Sequence, residues 1–341
     1  MHAMDTLEDL VGFYRHFSGV EAKGESPTFV EWAAGVAGDE EVLALLQELP
    51  TAKRQPNLVF AAARWHGAPA PGPYAGLREV LLGQWESVRT TILTRATQTN
   101  EPGRCASLLP LLAGMPGPLA LLEVGASGGL CLHPDRYSYR YTDGAGGVRA
   151  IDPRTGPAPT LLECRVSGTP PLPRELPQIA WRGGLDLHPL DLSSAEDAAW
   201  LRMLVWPEHE DRRRRLEAAC AEVPHESVTL LEGDLLTDLG PLVAQARREA
   251  PDATLVVFHT AVLAYLDEPG RQLWVREVGE LLEGVRDGGG RAHWISNEGG
   301  GVLPSLAATA TCRGGEADFC LALDGEAVGW AHGHGRSLTW C

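Results

Sequence analysis

The chain lacks a long apolar run: no stretch reaches the ~20 residues that a helix needs to cross a bilayer. Its opening, MHAMDTLEDLVGFYRHF, has no basic segment leading into an apolar core, so no secretory signal is expected. Positive charge is scarce. Against 45 acidic residues stand 29 basic ones, a formal net charge of −16. That balance argues against a nucleic-acid or anionic-membrane partner, both of which need a positive surface. The one basic run, Arg212 to Arg215, follows acidic residues on an expected helix and reads as solvated pairing at helical spacing. No CxxC arrangement occurs. The seven cysteines (Cys105, Cys131, Cys164, Cys220, Cys312, Cys320 and Cys341) are scattered, and free thiols in a reducing cytoplasm are expected. His332 and His334 lack neighbouring cysteine or carboxylate partners and read as a polar hairpin face, with no metal expected.

What is present is an ordinary globular composition, 44% apolar and 22% charged over 341 residues. Residues 1–110 space their apolar side chains by three and four, which predicts a helical N-terminal cap region. "GLREVLLGQWESVRTTILTRA" reads there as one helix. Residues 111–341 change grammar, with short β-rich runs ending in glycine or polar residues and alternating with helical patterns. Expected strands are PLALLEVG, QIAWRGGLDL, SVTLLEGDL, ATLVVFHT and GRAHWISNE. A β-rich insertion of short antiparallel strands is expected over about 137–177. Ser193 and Glu196 read as a capping box before a helix that Pro207 interrupts. The tail reads as two strands around the hairpin turn Asp324-Gly325. The expected fold is therefore α/β, a mostly parallel sheet with an antiparallel C-terminal hairpin.

In such sheets ligands bind at the carboxyl ends of the strands, near the point where strand order reverses. There the first strand presents Glu123-Val-Gly125-Ala126-Ser127-Gly-Gly129. The glycine spacing fails the dinucleotide pattern, and the Lys-Ser/Thr of a phosphate loop is missing. It fits instead the E/D-x-G-x-G-x-G template of class I S-adenosylmethionine (SAM) methyltransferases, with Ser127 in place of the central glycine. That template implies a Rossmann-like fold and a loop holding an amino acid and a ribose, so the early Pro134 is tolerable. Later strand ends add Asp186 as a ribose acceptor, Asp234 and Leu235 beside an adenine, and His259 and Thr260 near the reacting group. Each aspartate reads equally well as a turn cap, and His259 equally well as a core histidine. Upstream, Gln98, Thr99, Asn100, Glu101 and Arg104 form a polar cluster that reads equally well as a plain loop with helix-capping residues or as a segment facing the substrate side. Trp206 is ranked as core.

QTNEPGRCASLLP, LALLEVGASGGLCLHPDRYSYRY, GLDLHPLDL, LVWPEH, GDLL and VVFHTAVLAYL together resemble the bacterial domain of unknown function 2332 family, over nearly the whole chain. The resemblance implies a SAM-methyltransferase-like fold without naming a reaction. Gly128 stands where alanine is expected, and Cys131 where a small polar residue such as Asn is expected. The leading functional expectation is a SAM-dependent methyltransferase acting on a small molecule. Glu123, Gly125, Ala126, Ser127, Gly129, Asp186, Asp234 and Leu235 would hold SAM. His259 would be the general base, with Tyr265 behind it. Two rivals remain: a non-catalytic binding protein of the same fold, and an NAD(P)-dependent oxidoreductase.

Overall fold

The computed structural model describes residues 6–98, 100–223, 228–315 and 318–341. The chain divides into two compact units, Met1–Thr99 with Ser193–Arg214 and Asn100–Leu192 with Arg215–Cys341.

The first unit is helical, with helices Leu7–His16, Pro27–Val36, Glu40–Gln47, Pro56–Trp65, Tyr74–Gly83, Trp85–Thr94 and Ala195–Leu204. Side-chain caps set several starts: Thr6 accepts from the Asp9 amide and Ser26 from the Phe29 amide. The single helix expected after Tyr74 is two, because the chain leaves helical geometry at Gln84 (φ −131°). Gly83 is a poor helix former, and the break lets buried Trp85 donate its indole N–H to Glu48 Oε2 at 2.9 Å. The core is aromatic: Phe29 packs on Phe60 at 5.0 Å between centroids, and Trp206 on Phe29 at 5.6 Å. Glu208 accepts from the Ser26 hydroxyl and the Thr28 amide. Pro207 does interrupt the helical pattern, which resumes at Glu210. The cap before it lies one residue later than expected. Ser194 accepts from the Asp197 amide at 3.3 Å, while Glu196 pairs with Arg95.

The second unit is built on one mixed sheet of 11 strands among the described residues. They are β1 (Leu119–Val124), β2 (Ser138–Thr142), β3 (Val148–Ile151), β4 (Leu161–Ser167), β5 (Ile179–Asp186), β6 (Thr229–Glu232), β7 (Thr254–Thr260), β8 (Ala292–Gly299), β9 (Asp318–Leu323), β10 (Glu326–His332) and β11 (Ser337–Trp340). Their order is β3-β2-β4-β11-β10-β9-β8-β7-β1-β5-β6. The run from β6 through β5, β1 and β7 to β8 is parallel. Because β1 lies between β5 and β7, strand order reverses there. One face of β1 (Ala120, Leu122, Val124) packs in a cluster with Leu242 and Val243 of helix Leu239–Glu249 and Trp274 and Val278 of helix Glu268–Asp287.

The far half of the sheet departs from expectation. In the insertion β2 and β3 are antiparallel, but β4 runs parallel to β2 and to β11. Three short strands have little face to bury alone, and β4 pairing with β11 joins them to the main sheet. The tail holds three strands instead of two. Asp324-Gly325 makes the expected turn, with φ of +49° and +90°, and a second reversal at Gly333–Arg336 returns the chain as β11. That return brings Cys341 to Cys312, and the two form a disulfide with Cα atoms 5.1 Å apart, correcting the expectation that every thiol is free. The basic run is also less solvated than expected. Arg213 pairs with Glu210, but Arg212 is buried and Arg215 reaches the buried Glu101. Among the described residues no helix is long and apolar enough to cross a membrane.

His133 carries a pH consequence. Burial, then the charges of Arg182 and Arg136, push its pKa down to about 3. It is neutral when folded and protonates readily when unfolded, so stability is lost as pH falls from the ordinary histidine range towards 3. Denaturant titrations at pH 7.5 and about 4.5 should show His133→Gln losing less stability on acidification than the parent chain.

Candidate functional site

The carboxyl end of β1 is the tightest turn at the rim. Gly125 sits at φ +70°, where a side chain would be strained, and a Cβ there would collide with Val262. Its amide and that of Ala126 both donate to the Leu185 carbonyl, at 2.8 and 3.2 Å. Ser127 is a non-glycine residue at φ +51°, held there by its amide donating to Asp186 Oδ2 at 2.8 Å. Gly129 (φ +75°) closes the turn on the Ala126 carbonyl at 2.7 Å. A single 3-10 turn, Leu130–Leu132, follows in place of a long helix and leaves room for Pro134. Asn100 fastens this turn from outside, its Oδ1 accepting from the Leu130 amide at 3.1 Å.

Asp186 and Asp234 stand where expected but already serve as caps. Asp186 also accepts from the His188 amide at 2.8 Å, so both of its oxygens take backbone donors. Asp234 is exposed and accepts from the Leu236 amide at 2.8 Å. These are Asx turns of the kind aspartate favours, and the ribose and adenine roles compete with them. Leu235 packs, half-buried, against the core cluster.

Side chains alternate across a strand, so Glu123 shares a face with Gly184 and Phe258, its register partners on β5 and β7. Further along that face Thr260 is the register partner of Asn297 on β8. Glu123 is 4% exposed, and among the described residues its Oε2 has no hydrogen-bond partner. Burial chiefly, then the Cys131 thiol, pushes its pKa well above the usual carboxylate range, against the lowering pull of Arg104. Arg104, 5% exposed, donates from Nε to the Gly333 carbonyl at 2.9 Å, and from Nη1 to the Thr260 carbonyl and hydroxyl at 2.8 and 3.0 Å. Glu101 accepts from the Gly103 amide at 2.9 Å and from Arg215 Nε at 3.1 Å, with His334 Nδ1 4.0 Å from its other oxygen. The structure thus brings Asn100, Glu101, Arg104 and Thr260 to the rim. Gln98 belongs to the first unit, and Thr99 lies outside the described residues.

His259 is corrected as a general base. It is 0% exposed, on the opposite face, and its Nε2 accepts from the indoles of Trp294 at 3.0 Å and Trp274 at 3.3 Å. Indole nitrogens only donate, so the Nε2 lone pair is occupied and the proton resides on Nδ1, which donates to Glu298 Oε1 at 2.7 Å. The same oxygen accepts from the Val262 and Leu263 amides at 2.9 and 3.1 Å. His259 is a buried strut. Tyr265, on the 3-10 turn Leu263–Tyr265, is 62% exposed and is not brought to it. Asn297 and Glu298, at the end of β8, are not among the expected site residues. The available signal was the polar run Ser296-Asn297-Glu298 directly after Trp294-Ile295.

The second unit is thus a mixed α/β sheet with the buried polar groups of Glu123 and Ser127 at its strand-order reversal. The chain belongs to the bacterial family described as an uncharacterized protein conserved in bacteria, domain of unknown function 2332, whose model matches residues 12–340. No curated protein and no solved structure matches it.

Two substitutions test this geometry. Glu298→Ala strands two amides and an imidazole N–H, and should cost several kcal/mol at about 1–3 kcal/mol per orphaned donor, read as a lowered denaturant midpoint. Ser127→Gly relieves a left-handed strain of about 1–2 kcal/mol, partly offset by glycine's greater unfolded-state freedom, and should leave thermal stability equal or slightly raised.

Proposed function

We propose that the protein is a SAM-dependent methyltransferase with a Rossmann-like fold, acting on a small molecule. The observation that carries this reading is Glu123, a buried carboxylate with an oxygen unpartnered among the described residues, beside a turn held at positive φ by Gly125, Ser127 and Gly129. A buried carboxylate is stable as an anion only beside a cation or donors. The aminoacyl ammonium of SAM is such a group, and the hydroxyl of Ser127, likewise buried without a partner among the described residues, can bond its other polar atoms. The parallel order β6-β5-β1-β7-β8, with its reversal at β1, supports the fold. Gly125 lets Val262 pack against the turn, and Asp186 holds the turn through Ser127.

When bound, SAM supplies an electrophilic methyl group on its sulfonium. The protein's part is then mainly positioning, which contributes most where a transfer needs in-line approach. With His259 locked, no base is assigned on this chain. That same locking favours a second reading, a binding protein of the same fold that retains the cofactor without turnover.

Mass spectrometry of small molecules released from purified protein, with calorimetry, separates the readings. SAM binding is expected, and Glu123→Gln should weaken it at least about tenfold by removing an ionic hydrogen bond. A folded, cofactor-free sample that ignores SAM sinks both readings, and retention of NAD(P) revives the oxidoreductase.

Ligand-free stability gives an independent check. Because the folded pKa of Glu123 is raised, the native state holds its proton longer than the unfolded chain. Stability therefore falls as pH rises from the ordinary glutamate range towards the raised value. Thermal melts across pH 5–8 should show a flatter decline for Glu123→Gln.

A further inference from the structure

Asn297 is the most conspicuous residue left unexplained. It is 0% exposed, and among the described residues neither Nδ2 nor Oδ1 has a hydrogen-bond partner. A buried amide with both ends unspent is costly and rare, and calls for a complementary group. Its register partner Thr260, one strand spacing (about 4.8 Å) away on the same face, is hydrogen-bonded to Arg104. Arg104 is itself 5% exposed and makes no ion pair among the described residues; its Nε and Nη1 are spent on Gly333 and Thr260, while Nη2 makes no hydrogen bond there.

At this end of β7 and β8 stand two unspent donors, Arg104 Nη2 and Asn297 Nδ2, and one unspent acceptor, Asn297 Oδ1. Guanidinium and amide donors together match a carboxylate, with the guanidinium as counter-ion. The amide oxygen matches an N–H beside that carboxylate. We propose that this face is a second subsite, distinct from the glycine turn, which reads the α-amino-acid end of the small-molecule substrate: carboxylate on Arg104 and Asn297 Nδ2, ammonium on Asn297 Oδ1. The assignment to substrate rests on the methyltransferase reading; the subsite itself does not.

Calorimetry on the full chain tests it, with the proteinogenic L-amino acids, their decarboxylated amines and their deaminated acids as probes, each with and without saturating S-adenosylhomocysteine. At least one amino acid should bind in the presence of S-adenosylhomocysteine, and its amine and acid counterparts at least about tenfold more weakly. Asn297→Asp, which replaces the donor by a repelling oxygen, should abolish that binding and leave S-adenosylhomocysteine affinity within about threefold. Should Asn297→Asp fold poorly by thermal melt, Asn297→Ser serves, with a loss of at least about tenfold. Amino-acid binding with no affinity for S-adenosylhomocysteine would leave the subsite standing and remove the methyltransferase reading. Equal binding of amines or acids, unchanged affinity in the Asn297 variant, mutual exclusion with S-adenosylhomocysteine, or no binding of any probe would each overturn the proposal.

Discussion

One oxygen of Glu298 holds the rim together. Oε1 gathers the His259 imidazole and the amides of Val262 and Leu263, and so fixes where the chain goes after β7. Val262 then lies against Gly125, close enough to forbid any side chain there. The glycine turn after β1 is thus shaped partly by a carboxylate two strands away. Three donors on one buried carboxylate oxygen compensate for taking its charge out of water. The neutral His259 behind it, capped by two indoles, transmits the restraint into the core formed with helix Glu268–Asp287.

On the opposite face more polar groups stay open. Among the described residues Glu123, Ser127 and Asn297 are buried and carry unpartnered atoms, as do Ser296 and Glu298 Oε2 on the His259 face, whereas Glu298 Oε1, Asp186 and His259 are engaged by the protein itself. Groups whose hydrogen bonds close within the protein hold shape, and those whose bonds stay open are available to a ligand. Two non-glycine residues in left-handed backbone, Ser127 after β1 and Ala261 after β7, flank the same reversal point, where strain is commonly retained for binding.

Much of the fold was legible because its signals are local. Helical spacing marked the first unit, strand-length apolar runs marked β1, β5, β7 and β8, and Asp324-Gly325 marked its hairpin. Errors arose where a long-range contact decided. Ser194 outcompeted Ser193 as a cap, Gln84 split a helix that reads as continuous, and β4 chose parallel partners that a short strand cannot announce. Arg215 looked like a surface charge until folding placed it beside Glu101. Among site residues Glu123 and Arg104 were recognisable by their neighbours in sequence. Asn297 was not, since a polar strand end means little until its face is known.

The sequence by itself determined the alternation of strands and helices, the sharp turn after β1, and the presence of a carboxylate at its end. Those depend on side-chain periodicity and on glycine's access to positive φ, which act over a few residues. Only the tertiary structure decided which polar side chains are spent and which are open. His259 and Asn297 both sit at the ends of apolar strands. One meets two tryptophans and a glutamate on its face, and the other meets no hydrogen-bonding partner among the described residues. Whether a buried polar group finds its complement is a property of three-dimensional packing, and no spacing along the chain encodes it.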